Sequence, residues 1–308
     1  MFDAAALPRP PARDAFVEHV WAFYRDSGRR MPWRETADRY AVFISEIMLQ
    51  QTQVPRVMEK YPPFLERFPN FATLASARLA DVYALWQGLG YNRRAKYLHE
   101  AARRIVADHA GEVPAEREAL LVLPGVGPNT AGSLLAFCHN RPVVFIETNI
   151  RRVFIYFFFP GSGEVHDRDI LPLIEATLDR ENPREWYYAL MDYGAALSKW
   201  VTNPNRRSRQ YVRQSPFENS NRQVRGRILR VLGEAPWDGG LGMQSAGSAP
   251  GGAPTAQQAA EQPRSSAWLT ASELARRVGY PLERVELALE GLIRDGLVAA
   301  EGDRFSLP

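Results

Sequence analysis

Two glycines, Gly125 and Gly127, stand in a tight turn directly ahead of an apolar helical pattern, in the run Leu123-Pro-Gly-Val-Gly-Pro-Asn-Thr-Ala131. Glycine at these places lets the backbone approach a ligand with no Cβ in the way. The N–H groups at the start of the following helix can then hold a phosphate oxygen. The blander reading, a turn that only joins two helices, leads to the same fold class. Amphipathic helical patterns repeat between turn signals through most of the chain, with no convincing strand alternation, so the expected class is mainly α.

With 308 residues the chain suffices for two or three compact units of about 100 to 200 residues each. Its 45% hydrophobic and 24% charged residues allow a real core and exclude wholesale disorder. The most apolar stretch, Val143 to Phe159, is interrupted by Glu147, Asn149, Arg151 and Arg152, so no membrane span is expected. The N-terminus lacks a basic-then-apolar leader pattern, and a cytoplasmic protein is expected. The single Cys138 excludes a disulfide framework and a Cys-rich metal site; within Leu134 to Cys138 it reads as a small core residue. A net charge of +3 says little about a polyanionic partner.

Asp238 to Arg264, built from Gly, Ala, Ser, Pro and Gln, reads as a flexible linker. Beyond it a helix over Thr270 to Val278, a turn at Gly279 to Pro281, a helix over Leu282 to Arg294 and a hairpin turning at Gly302-Asp303 form a winged-helix-like pattern. The second of these helices sets Glu283, Glu286, Glu290 and Asp295 against Arg284 and Arg294. Such a face repels phosphates and favours an accessory or packing module over a groove reader.

Tyr40, Phe43, Ile44, Ile47 and Met48 mark the core stripe of a helix, and Glu46, Gln50 and Gln53 fall on another side of it if it continues that far. Read from the residues alone, these are either a solvated polar face or a carboxylate with two amides poised beside an apolar wall.

The glycine turn, flanked by Leu123, Val126, Thr130 and Ala131, resembles the helix-hairpin-helix motif of DNA-binding proteins. Around it stand Met31-Pro-Trp33, Ser45-Glu-Ile-Met-Leu-Gln-Gln-Thr-Gln-Val54, Gly88-Leu-Gly-Tyr-Asn-Arg-Arg-Ala95, Ile146-Glu-Thr-Asn-Ile-Arg-Arg-Val153 and Ala189-Leu-Met-Asp-Tyr-Gly194. This ordered set, from Pro32 to Gly194, resembles the helix-hairpin-helix DNA glycosylases, and among them the MutY-type adenine glycosylases. Phe217-Glu-Asn-Ser-Asn-Arg-Gln-Val-Arg-Gly226 is similar to a segment that follows the catalytic region in some bacterial members.

The resemblance implies a two-lobed fold: a six-helix barrel over 31–141, a second helical lobe from 1–30 and 142–214, and a C-terminal winged-helix-like module over 215–308 that contains the segment 238–264. It implies duplex DNA as partner, with the target nucleotide flipped into a cleft between the lobes. Glu46 would be the general acid that protonates the adenine ring and then helps to activate water. Asn149 would position the catalytic groups. Gln50, Gln51 and Thr52 would lie at the duplex, with Tyr91 and Asn92 also on the DNA. The hairpin residues Gly125, Val126, Gly127, Asn129 and Thr130 would hold the backbone, with Na+ or K+ on hairpin carbonyls as the one metal in view. No side-chain metal site, no partner copy and no membrane contact are expected.

The chain departs from the family pattern in several places. The family's catalytic Asp aligns with Glu147, which keeps the charge and adds a methylene; Glu147 is either that catalytic carboxylate or only a helix cap for Asn149 and Ile150. Bifunctional relatives such as endonuclease III carry a Schiff-base Lys where Asn129 stands, so a monofunctional enzyme without lyase activity is expected. Ser198 to Gln214 contains no Cys where many relatives ligate an iron-sulfur cluster, so no cluster is expected. Its Arg206, Arg207, Arg209 and Arg213 are either phosphate contacts or a solvated basic face. The C-terminal region does not match a Nudix-like domain, and Asn92 replaces an aromatic that often follows Tyr91. Adenine opposite 8-oxoguanine or guanine is the leading substrate. The alternatives are thymine or uracil opposite guanine, hypoxanthine, or a noncatalytic DNA-binding scaffold.

Overall fold

The computed structural model describes residues 11–161, 163–213, 216–234 and 268–308, so the linker expected over 238–264 lies outside the described residues. In chain order the helices are α1 (Arg13–Ser27), α2 (Arg39–Leu49), α3 (Val54–Arg67), α4 (Phe71–Ser76), α5 (Leu79–Trp86), α6 (Arg93–His109) and α7 (Arg117–Leu121). There follow α8 (Pro128–His139), α9 (Thr148–Phe158), α10 (Asp167–Thr177), α11 (Pro183–Trp200), α12 (Asn221–Glu234), α13 (Ala271–Val278) and α14 (Leu282–Arg294). The described strands, β1 (Leu269–Thr270), β2 (Ala299–Glu301) and β3 (Arg304–Ser306), all lie near the C-terminus. The mainly helical class holds.

Contacts divide the chain into two units, residues 1–76 with 97–214, and residues 77–96 with 215–308. In the first unit α9 packs on α11, α1 on α10 and α11, and α2 on α3 and α8. The run Val143 to Phe159, too apolar for a surface helix, becomes the centre of this core. Phe16 is fully buried there, its ring 5.4 Å from Phe154 and Phe157 and 5.0 Å from Phe158. No helix among the described residues is long and apolar enough to cross a membrane.

The second unit gathers α5, α12, α13, α14 and an antiparallel sheet of order β1-β3-β2, with Leu269 opposite Phe305 and Ala300 on its other side. Thr270 and Glu273 form a reciprocal capping box at the start of α13, and Gly279 ends it at φ 71°. The inclusion of residues 77–96 differs from the expected boundary at 215. The reason is electrostatic as well as apolar: Asp295, at the end of α14, pairs with Arg225, and its carboxylate lies 3.5 Å from Arg93. Its carbonyl also accepts from Lys96 at 3.0 Å.

Gly194 on α11 sits against α9 so closely that a Cβ there would run into the Asn149 carbonyl. Gly194→Ala therefore overpacks a backbone-to-backbone contact that no side chain can yield. A loss of about 1–3 kcal/mol is expected, read as a lower urea midpoint with an unchanged m-value.

Candidate active site

Glu46 comes from α2, which is capped by Asp38, whose carboxylate accepts the Tyr40 N–H at 2.9 Å. Nearly every other residue of this helix is buried, so Glu46 is carried on a narrow part-exposed strip against an apolar wall. Burial raises its pKa to about 7 from the ordinary 4.5. A hydrogen bond with Ser133 pulls it down, the charge of Glu147 raises it further, and Arg34 lowers it. The charge of Glu147 is thus felt at Glu46.

The helix ends at Leu49, because Gln51 takes a left-handed φ of 54° and α3 starts at Val54. Gln53 is thus the residue before α3 and does not share the Glu46 face, contrary to the sequence expectation. Gln50 does reach the hairpin: its Nε2 donates to the Gly125 carbonyl and to Thr130 Oγ1, both at 3.2 Å. Gln51 is exposed, and Thr52 folds back through its N–H onto the Leu49 carbonyl.

In the hairpin Gly125 has φ 80°, a region that favours glycine, while Gly127 is extended and caps α8. Gly125, Gly127 and Asn129 are exposed and Thr130 is part-buried. Val126 differs: its side chain is buried and its N–H donates to the Leu123 carbonyl, so it holds the turn and presents neither group outward.

Glu147 is the cap of α9. Its Oε1 accepts from the N–H groups of Asn149 at 2.6 Å and Ile150 at 2.8 Å, and Asn149 Nδ2 lies 3.3 Å from Oε2. The capping reading is therefore realised, and it turns the carboxylate into a fixed one. Short Asp, Asn or Ser is the usual cap; here the extra methylene of Glu is taken up in folding back over the helix end. Burial still raises its pKa, against the two N–H bonds and the charges of Arg152 and Arg151.

Several residues that sequence reasoning missed complete the site. Arg152 is buried, donating to Asn149 Oδ1 at 2.7 Å and to the Gly194 carbonyl at 2.6 Å. Asp192 is buried and accepts from Arg29 through its N–H at 2.7 Å and Nε at 2.8 Å. It also binds Arg34 in bidentate fashion, at 2.9 and 2.8 Å, and that guanidinium lies 4.4 Å from the centre of the Tyr188 ring. Asp192 lies within one quoted motif and Arg34 directly follows another, but nothing in one sequence pairs residues 158 positions apart.

Tyr91 and Asn92 belong to the second unit. Tyr91 is exposed at φ 48°, with Arg94 5.6 Å from its ring centre and Arg222 Nη1 3.4 Å from its hydroxyl. Asn92 starts α6 by accepting the Ala95 N–H.

Arg206 is exposed, whereas Arg207 turns inward and donates to the carbonyls of Phe159 and Ile155 at the end of α9. Its charge meets the negative end of a helix, which removes it from the candidate phosphate contacts. The stretch after α11 offers no thiolate, and Cys138 is buried on α8 with its thiol against the Arg39 carbonyl. These residues do not fit an iron-sulfur cluster.

A carboxyl whose pKa is raised to about 7, in the field of a second carboxyl whose anion is favoured by two main-chain N–H bonds, is equipped for acid-assisted departure of a leaving group that leaves a cation behind. Comparisons with known proteins point to a family. A model of the HhH-GPD superfamily of base excision DNA repair proteins matches residues 44–168. A protein named adenine DNA glycosylase from Mycobacterium tuberculosis is 32% identical over 98% of this chain and 97% of its own. A mouse protein of the same name is 34% identical over 59% of this chain and 38% of its own. A solved thermostable thymine-DNA glycosylase is 26% identical with a TM-score of 0.53, over 59% of this chain and 86% of that one. A trapped endonuclease III–DNA covalent intermediate, 16% identical with a TM-score of 0.51, covers 59% of this chain and 84% of that one and shares the fold.

The raised pKa of Glu46 has a stability consequence. Between about pH 4.5 and about 7 the folded protein holds a proton that the unfolded chain releases, so this group costs stability as pH rises through that window. Glu46→Gln should therefore stabilise the fold at pH 8, by up to roughly 3 kcal/mol at about 1.4 kcal/mol per pH unit, and have little effect near pH 4. Urea unfolding at the two pH values checks it; an equal effect at both would contradict the burial argument.

Proposed function

This chain belongs to the adenine DNA glycosylases of the HhH-GPD superfamily, and from that premise we propose that it hydrolyses the N-glycosidic bond of adenine mispaired with 8-oxoguanine or guanine in duplex DNA. The observation that carries the reading is Glu46, its pKa raised to about 7 by burial and by the charge of the anchored Glu147.

Glu46 gives its proton to a ring nitrogen of the flipped adenine, and the bond from that base to C1′ breaks with its electron pair on the leaving base. The sugar is left as an oxocarbenium-like cation, which the negative charge of Glu147 stabilises. Asn149, itself held by Arg152, keeps Glu147 in place. Water then adds to C1′ and gives its proton to the Glu46 carboxylate, so the products are free adenine and an abasic site.

The exposed turn at Gly125 and Gly127, opening α8, suits a backbone phosphate. The carbonyls of Leu123 and Gly125 accept hydrogen bonds from Val126 N–H and Gln50, and a second lone pair on each leaves room for Na+ or K+, whose charge would help to hold that phosphate. Asn129 has no amine to attack C1′, so strand cleavage is not part of the reaction. The likeness to a thymine-DNA glycosylase makes thymine opposite guanine the second reading.

Labelled duplexes carrying adenine opposite 8-oxoguanine or guanine, or thymine, uracil or hypoxanthine in parallel, decide between them. Expected is cleavage at adenine only after alkali, no adduct trapped by borohydride, and a single-turnover rate that declines above about pH 7 as Glu46 loses its proton. Glu46→Gln should abolish the reaction while duplex binding persists. Cleavage confined to another base would overturn the substrate assignment, and an active Glu46→Gln enzyme would overturn the mechanism.

A further inference from the structure

The turn after α11, where the residues do not fit an iron-sulfur cluster, is tied to α9 at both of its ends. Asn203 caps the short 3-10 turn Pro204–Arg207, accepting the Asn205 N–H at 3.1 Å. Asn205 is buried and its Nδ2 donates at 2.8 Å to the carbonyl of Thr148, the residue directly after Glu147. Arg207 donates to Phe159 and Ile155 at the opposite end of the helix. Beyond the turn the main chain is secured too, Val165 N–H donating to the Arg207 carbonyl at 2.7 Å and Arg209 N–H to the Val165 carbonyl at 3.1 Å. The same Asn203 Oδ1 that caps the turn accepts Arg152 Nε at 3.3 Å, and Arg152 holds Asn149.

We propose that Asn203 to Arg207 is a metal-free brace that, through Arg152 and Thr148, sets the positions of Asn149 and Glu147. Asn203, Asn205 and Arg152 are then positioning residues, and the inference rests on the reading of Glu147 and Asn149 as site members. A guanidinium anchored at Nε by Asn203 presents Nη1 to Asn149 in one orientation. Without that anchor the long side chain regains rotamers, and Asn149 with Glu147 loses its register.

Asn203→Ser separates this role from simple folding. Serine caps a helical turn well and keeps an acceptor for the Asn205 N–H, but it is too short to reach Arg152. Expected is a single-turnover adenine excision rate about tenfold lower, with affinity for a duplex holding an uncleavable adenine analogue within about twofold of the parent. Asn203→Asp, which keeps the acceptor for Arg152, should recover the rate. Protein produced without iron and dialysed against a chelator should keep its full rate. Asn203→Ser at parental rate would overturn the brace, as would a fall in rate, affinity and thermal midpoint together that Asp does not rescue, or a rate that depends on iron. Glu46→Gln in the same assay tells the two levels apart, because residual excision there refutes the site reading and leaves the brace without an object.

Discussion

The close approach of α9 to α11 governs the geometry of the site. Gly194 leaves no side chain between the Asn149 backbone and α11, and the carbonyl of Gly194 accepts from Arg152. One guanidinium thereby bonds a main-chain oxygen of one helix and the Asn149 side chain of the other. Because Glu147 caps the same helix end, a shift of α9 moves carboxylate, amide and arginine together. The aromatic packing of Phe16 against Phe154, Phe157 and Phe158 resists such a shift from the far side. Rigidity of this kind is what a site needs when about 1 Å of misplacement can cost roughly a hundredfold in rate.

Within that frame the two carboxylates are given different surroundings. Glu147 accepts two main-chain N–H bonds that favour its anion, whereas Glu46 lies on an almost wholly buried helix with a hydroxyl as its polar neighbour. Burial raises both, and at Glu46 the charge of Glu147 adds to it, while at Glu147 two main-chain N–H bonds and two arginines oppose it. An acid and an electrostatic stabiliser can thus be made from the same residue type, with the division of labour set by backbone amides.

Much of this was legible in the sequence because it is local. The α2 stripe, the glycine turn and the apolar run around Glu147 are each one continuous stretch of chain, where helical period and turn chemistry act directly. The condition on Gln53, a helix that continues past Gln50, is not met, because one left-handed residue, Gln51, ends the period early, and nothing in its side chain announces that. Arg206 and Arg207 are chemically identical neighbours, and only the register of a short 3-10 turn decides that one faces solvent and the other caps α9. The grouping of residues 77–96 with the C-terminal elements depends on Asp295 meeting Arg225, Arg93 and Lys96, contacts between distant stretches that no periodicity encodes.

Asp192 shows why such distant pairings are worth their cost. A buried carboxylate bound by two arginines is a weak source of stability, since well-packed apolar side chains in its place often do as well. Its effect here is on position. Two parallel hydrogen bonds fix the Arg34 guanidinium in one plane over the Tyr188 ring, where its charge acts on Glu46. Desolvation alone drives a buried carboxyl upward without limit on its usefulness, and an acid that never releases its proton cannot then accept one from water. The Ser133 hydrogen bond and, to a lesser extent, a positive charge held at a set place offset part of that drift, which leaves Glu46 at about 7, where it can serve in both directions. The ion pair therefore contributes to the tuning of the acid while it holds Arg29 and Arg34 in place.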